Sequence, residues 1–327
     1  MPENAPAIDI TGLTKSFGDQ PVLRGVDLTV ATGTVCALLG PNGSGKTTIV
    51  NILSTLLPAD GGTARIAGYD VSRDGARVRA AIGVTGQFSA VDNLLTGAEN
   101  LRLMADLRRL GRTEGQRRID DLLNLFDLRE AAGKPASTYS GGMKRKLDLA
   151  MTLVARPQVL FLDEPTTGLD PRSRRDLWAV VRSLVDDGVT ILLTTQYLDE
   201  ADRLAHRVAV LDQGRIVAHD EPARLKQQVP GGQIRLQFAT PARVAHARLV
   251  LADEWPPAER APQQPAGADT TTLQIDLPAT GTVPALRALL DRLDDQDVPV
   301  DHVEVSAPDL DDVFFALTST TTRKAMQ

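Results

Sequence analysis

Residues 34–40 form an apolar strand that ends in glycine, the pattern of a strand buried on both faces. Directly afterwards Ile49, Ile52, Leu53, Leu56 and Leu57 recur at helical spacing, which predicts a helix over 46–57 that Pro58 stops. Ahead of this unit, residues 8–35 read as short strands with turns at Gly18 and near Thr32-Gly33. From about 97 to 130 the pattern is helical and charge-rich, with Leu101, Met104, Leu107 and Leu110 as one apolar set and Ile119, Leu122, Leu123 and Phe126 as another. Buried strands near 158–163 and 189–195 enclose a helix over 171–187, a β-α-β unit that predicts parallel strands. Residues 207–220 read as a hairpin that turns at Gln213-Gly214.

The pattern changes after Gln228. Pro230-Gly231-Gly232 marks a boundary, giving one domain over 1–228 and a second over 229–327. The tail alternates strand-like runs (233–239, 272–277, 302–306) with helices near 241–251 and 283–295, and 256–267 is a loop rich in Pro, Ala and Gln. This is the pattern of a small α+β domain. No internal repeat indicates a second copy of the first domain.

Composition narrows the class. A length of 327 residues accommodates one large α/β domain and a smaller one, and 42% hydrophobic with 24% charged residues is ordinary for a globular protein. The net charge of −6 argues against a nucleic-acid binder. Arg172, Arg174 and Arg175 cluster, but Asp170 and Asp176 flank them, so they read as a solvated helix face. Cys36, the single cysteine, lies in an apolar run and reads as a small buried side chain, which points to a reducing, cytoplasmic compartment. No apolar run approaches the ~18 residues that span a bilayer. The opening Met1-Pro2-Glu3-Asn4 lacks the basic and apolar regions of a signal peptide. Any service to a membrane is therefore expected from the cytoplasmic side, through a partner.

The segment from Gly40 to Thr47 matches G-x-x-x-x-G-K-[ST], between an apolar strand and a helix, the context this phosphate-binding motif requires. Glycines let main-chain N–H groups converge on phosphates, and the helix N-terminus adds positive partial charge. Gly40, Asn42, Gly43, Gly45, Lys46, Thr47 and Thr48 are the expected nucleotide contacts. Lys46 would reach the β- and γ-phosphates, and Thr47 would coordinate Mg²⁺. Residues 159–164 form a second buried strand that ends in Asp163-Glu164, at the strand edge where α/β sheets bind ligands. Asp163 is expected to hold Mg²⁺, and Glu164 to polarise the attacking water as general base.

With these elements in place, residues 7–228 resemble the ABC ATPase family. The most specific feature is Ser140-Gly141-Gly142, between the phosphate loop and the acidic strand. It matches the signature segment that binds the γ-phosphate of ATP held by the other subunit, with Ser140 and Gly142 as contacts at a helix start. The resemblance implies further roles. Phe17 matches the aromatic that stacks on adenine, with a plain core phenylalanine as the alternative. Gln87 matches the glutamine that senses Mg²⁺ and the attacking water, and Asp170 the residue that contacts the opposite subunit's site.

Two segments depart from the family pattern. Gln196 stands where a histidine is usual; its amide can donate a hydrogen bond to phosphate but cannot carry charge, so its expected role is positioning, with catalysis left mainly to Glu164. Tyr139 and Met143 replace the usual Leu and Gln at the ends of the signature and leave the Ser-Gly-Gly site intact. Together with 168–174, 194–197 and 310–314, the signature region looks like the daunorubicin-resistance branch, whose members pair with a separate polytopic protein and export drugs or other amphiphiles.

The resemblance thus implies an α/β fold: a P-loop NTPase ABC ATPase domain with an antiparallel β subdomain and a helical subdomain, followed by the small α+β domain. It implies ATP and Mg²⁺ as cofactors. The expected partners are a second copy of the chain in an ATP-sandwich dimer and a polytopic membrane permease, with no nucleic acid, at the cytoplasmic face of the membrane. The competing reading is a soluble ABC ATPase acting on nucleic acid or the ribosome. Such proteins carry coiled-coil insertions or two nucleotide domains, and neither pattern occurs in this sequence. A regulatory module with little hydrolysis is disfavoured by the intact Glu164. In the C-terminal domain His246 and His302 are isolated. Leu310, Val313, Phe314 and Leu317, at helical spacing, fit either a partner contact or packing within that domain.

Overall fold

Strand β1 (Ile8–Phe17) and strand β2 (Gln20–Val30) pair antiparallel, turning at Gly18. Strand β3 (Val35–Leu39) is buried at every position and runs through the glycine-rich loop into helix α1 (Lys46–Leu53). α1 is shorter than the expected 46–57. Thr55 takes a left-handed φ of +64°, and the N–H groups of Leu56 and Leu57 both donate to the Asn51 carbonyl, at 2.9 and 3.1 Å. The helix is closed before Pro58, and Leu56 is 73% exposed instead of lining the apolar face. Strands β4 (Gly61–Ile66) and β5 (Tyr69–Asp70) complete an antiparallel sheet of order β2-β1-β4-β5.

Helix α2 (Gly75–Ala81) leads into strand β6 (Ile82–Thr85). The charge-rich stretch divides into α3 (Gly97–Leu107) and α4 (Arg112–Leu125), broken by Arg109 at φ +55°. Thr96 and Glu99 cap α3 reciprocally, satisfying two of its free N–H groups. Leu101 is buried, but Leu107, at the same periodic spacing, lies on the exposed last turn. Next come α5 (Gly141–Leu153), β7 (Val159–Asp163), α6 (Pro171–Asp186), β8 (Thr190–Thr195), α7 (Leu198–Leu204), β9 (Arg207–Asp212) and β10 (Arg215–Asp220). The β9–β10 turn has left-handed φ at both Gln213 (+46°) and Gly214 (+76°), the geometry of a two-residue hairpin.

The second sheet has order β10-β9-β3-β8-β7-β6, parallel from β9 to β6, with β10 antiparallel at the edge. Its strands feed two cores by simple alternation. Leu160, Leu162, Ile191 and Leu193 pack with α5, α6 and the α3–α4 region, while Phe161, Leu192, Cys36 and Leu38 pack with α1 and the antiparallel sheet. Cys36 is fully enclosed, and burial pushes its thiol up to about 12, so it behaves as an inert apolar side chain.

These coordinates are a computed structural model that describes residues 5–86, 90–228, 233–251, 272–276, 282–306 and 309–324. The chain separates into two compact units, Met1–Pro222 and Ala223–Gln327. After α8 (Pro222–Gln227), the second unit comprises β11 (Gln233–Gln237), α9 (Pro241–Leu251), β12 (Thr272–Asp276), α10 (Thr282–Asp295), β13 (His302–Ser306) and α11 (Leu310–Lys324). Its three strands form an antiparallel sheet of order β12-β11-β13. Ile234 and Leu236 pack with Val244, Ala247 and Leu251 of α9 and Leu289 and Leu293 of α10. Leu310 and Val313 are buried and Phe315 is exposed. The boundary glycines 231–232 and the 256–267 loop lie outside the described residues.

Candidate functional site

Four neighbouring parallel strands end at one edge of the second sheet. Leu39 pairs with Thr195, Asp163 with Thr194 and Thr85 with Leu162, so the residues that follow each strand emerge side by side. These are Gly40, Gln196, Glu164 and Gly86. Only β8 separates β3 from β7, so a strand spacing of about 4.8 Å places the phosphate loop and the acidic pair roughly 10 Å apart. This is the carboxyl edge at which open α/β sheets take their ligands.

The loop needs its glycines. Gly43 and Gly45 have φ of +81° and +110°, and a Cβ on Gly45 would lie 2.6 Å from Leu23 Cδ2. A Cβ on Gly40 would meet the Leu211 carbonyl oxygen at 2.4 Å. Gly45→Ala is therefore expected to lower unfolding stability by about 1–3 kcal/mol in urea titration and to weaken nucleotide binding with it. Parental stability in that variant would show that the loop relaxes without the left-handed residue.

Lys46 is 7% exposed, and its ammonium donates to the carbonyls of Gly40 (2.7 Å) and Pro41 (3.1 Å). Burial lowers its pKa, and the charges of Glu164 and Asp163 oppose that shift, which places both acids within electrostatic reach of the ammonium. Ser44 Oγ is buried in the same loop without a hydrogen-bond partner. A buried hydroxyl with no partner in the phosphate loop suits an anionic oxygen. Thr47 is exposed, Thr48 is half-buried, and Asn42 is exposed on the loop. Thr47 and the Asp163 carboxylate are hard oxygen donors of the kind Mg²⁺ prefers.

Asp163 is buried and accepts a hydrogen bond from Thr194 Oγ1. Glu164 follows at φ +46°, a left-handed conformation that costs a non-glycine residue on the order of 1–3 kcal/mol and needs outside support. Its N–H donates to the Thr194 carbonyl at 3.0 Å, and its Oε2 accepts from Thr167 Oγ1 at 3.2 Å. Gln196 is exposed directly after β8. Phe17 is 52% exposed, which excludes the core alternative, and Lys15 Nζ lies 5.8 Å from its ring centroid. Gln87 lies outside the described residues.

The signature forms a second group. Ser140 is the N-cap of α5, and its Oγ accepts from Met143 N–H at 3.2 Å. A Cβ on Gly142 would come 2.6 Å from Ser173 Oγ, so this face of α5 closely approaches the start of α6. Asp170 caps α6, accepting from the N–H groups of Arg172 (2.9 Å) and Ser173 (3.0 Å) and from the Ser173 hydroxyl. Those hydrogen bonds, that of Ser173 foremost, hold its carboxyl below the usual range. Tyr139 is absorbed into the core, and its hydroxyl donates to the Ala131 carbonyl at 2.7 Å.

Two residues that no sequence motif marks hold this edge together. Arg145 of α5 donates to the carbonyls of Gly86 (3.1 Å), Asp163 (3.2 Å), Glu164 (3.5 Å) and Pro165 (2.9 Å) and to Asp148 (3.4 Å). Glu200 of α7 is wholly buried and accepts from Trp178 Nε1 at 3.2 Å. Burial raises its carboxyl above the ordinary value of 4.5, and Thr195 and Trp178 only partly offset this. A folded-state pKa above the unfolded one means that ionisation costs stability as pH rises past about 4.5. Glu200→Gln should therefore raise the melting temperature relative to the parent more at pH 8 than at pH 4.5. A difference that shrinks with rising pH would contradict the raised pKa.

Comparison with known proteins agrees with this fold. The ABC transporter family model matches residues 23–167. A daunorubicin resistance ATP-binding protein of Streptomyces coeruleorubidus is 47% identical over 312 residues, covering 95% of this chain and 95% of that protein. A Nod factor export ATP-binding protein of Rhizobium meliloti is 42% identical over 228 residues, 70% of this chain and 68% of that protein. Among solved structures, the ATP-binding subunit of an ABC transporter superposes with a TM-score of 0.62 at 28% identity, covering 68% of this chain and 92% of that one.

Proposed function

This chain belongs to the ABC transporter family of ATP-binding subunits, and we propose that two copies close head to tail around two ATP molecules to power export of a drug-like or amphiphilic small molecule through a separate membrane permease. The observation that carries the reading is the convergence of the phosphate loop, Asp163-Glu164 and Gln196 on one sheet edge, in a chain whose daunorubicin-resistance relative matches it over both units.

Adenine would stack on Phe17. The phosphates would lie in the loop formed by Gly40, Asn42, Gly43, Gly45, Thr47 and Thr48, with Lys46 exchanging the Gly40 and Pro41 carbonyls for phosphate oxygens. Mg²⁺, held by Thr47 and Asp163, would neutralise charge on the β- and γ-phosphates, and Gln87 would sense it. Ser140 and Gly142 of the second copy would donate to the γ-phosphate from their helix start, and Asp170 would face the opposite site. Glu164 takes a proton from water as the water oxygen attacks the γ-phosphorus and ADP leaves, while the Gln196 amide orients the γ-phosphate. Lys46 stabilises the charge that develops on the transferring group. Loss of the γ-phosphate removes the contact shared by both copies, and the dimer opens.

In this reading 1–228 is the nucleotide-binding domain and 229–327 an accessory domain. The protein would be peripheral at the cytoplasmic face; among the described residues no helix is long and apolar enough to cross a membrane. The test is a pull-down from native membranes with tagged Glu164→Gln protein and Mg-ATP. A polytopic membrane protein in near-equal amount supports the reading. Ribosomal or DNA-associated proteins in its place would leave the ATPase and remove the export role.

A further inference from the structure

Arg145 lies five residues past Ser140 on α5, and its side chain is only 15% exposed. Four of its five acceptors are main-chain carbonyls in the two segments that leave β6 and β7. A contact to carbonyls fixes where the backbone runs, whatever side chains it carries. The guanidinium suits this task because its donors form a rigid planar fork, whereas an ammonium offers three donors from a single point. Asp148, one turn along α5, anchors the fork and also accepts from the Ala90 N–H at 2.9 Å, so α5 grips the chain at Gly86 and at Ala90.

The other stretch that Arg145 holds, Asp163 to Pro165, contains a residue that needs outside support. Glu164 is held left-handed, its N–H tied to β8 and its carbonyl to Arg145. The direction of its carboxylate is thus set partly from α5, whose N-terminus carries the signature serine.

We propose that Arg145 is a positioning residue for hydrolysis: it ties α5 to the main chain of Glu164 and Gly86, so that seating the α5 N-terminus on one ATP sets the aim of Glu164 at the other. This rests on the dimer reading above. Arg145 acts through Glu164 and touches no substrate itself.

Arg145→Lys keeps the charge and loses the fork. In the full-length chain kcat should fall about tenfold or more, as displacement of a catalytic group by a fraction of an ångström does, while affinity for ATP changes less than about threefold. A double-mutant cycle separates positioning from general support. In a Glu164→Gln background the same substitution should change residual turnover by less than about twofold, because the carboxylate it aims is gone. An equal loss in both backgrounds, or parental kcat in Arg145→Lys, would overturn the proposal. Asp148→Asn, which must present its NH2 either to the guanidinium or to the Ala90 N–H and so loosens the grip of α5, is the second variant should Arg145→Lys fold poorly, and the same dependence on Glu164 is expected. Glu164→Gln alone reports on the underlying reading. Parental turnover there removes the base and the proposal together; slow turnover with an undiminished Arg145→Lys loss removes the proposal alone.

Discussion

Glu164→Gln is expected to hydrolyse ATP about 100-fold or more slowly than the parent while binding it at least as well, since a positioned general base contributes roughly 10²–10⁴ in rate. The substitution is nearly isosteric. It keeps an acceptor for Thr167 Oγ1 and leaves the main-chain ties to Thr194 and Arg145 untouched. It also removes a negative charge close to Lys46, so the ATP phosphates meet less repulsion. The expected signature is a fall in kcat with unchanged or lower KM and an unchanged melting temperature. Steady-state kinetics with equilibrium ATP binding reads it. A kcat within twofold of the parent would move the base role to another group.

Lys46→Ala should fail in the opposite way. The ammonium is the cation enclosed in the phosphate loop, and its two hydrogen bonds to Gly40 and Pro41 hold it where phosphate oxygens would be received. Removing it takes away attraction in the bound state and more in the transition state, where the transferring phosphoryl group spreads its charge. ATP affinity should drop about tenfold or more and kcat by a further 10²–10³, the range seen when a preorganised donor to developing charge is lost. Part of the loss has a structural origin, because the Gly40 carbonyl is left without its donor, at about 1–3 kcal/mol. Fluorescent-nucleotide titration alongside turnover separates the two variants: Glu164→Gln binds and does not turn over, whereas Lys46→Ala does neither. Retained affinity in Lys46→Ala would remove the lysine from phosphate binding.

The central parallel strands were legible in the sequence because burial on both faces leaves unbroken apolar runs. Those near 34–40, 158–163 and 189–195 appear as Val35–Leu39, Val159–Asp163 and Thr190–Thr195. The end of α1 was not, because Leu56 and Leu57 continue the helical spacing while the backbone reverses at Thr55. Periodicity reports which positions can be apolar, not where a left-handed residue ends the helix. The order β3-β8-β7-β6 was also hidden, since strands distant in sequence become neighbours. That order is what brings Gly40, Gln196, Glu164 and Gly86 to one edge. Motif spacing identified the phosphate loop, the acidic pair and the signature as separate pieces. Arg145 had no signal of its own, because its partners are main-chain carbonyls, which no residue pattern marks. Glu200 was equally silent: in sequence it is one of several acids around α7, and only burial against Trp178 distinguishes it.

The sandwich dimer is tested most directly by the mass of Glu164→Gln protein in solution, by light scattering after gel filtration with Mg-ATP and again with ADP. A single chain is 35.1 kDa. Twice that mass is expected with Mg-ATP, and a single-chain mass with ADP, because the γ-phosphate is the contact that both copies share. A single-chain mass under both conditions would rule out the sandwich dimer.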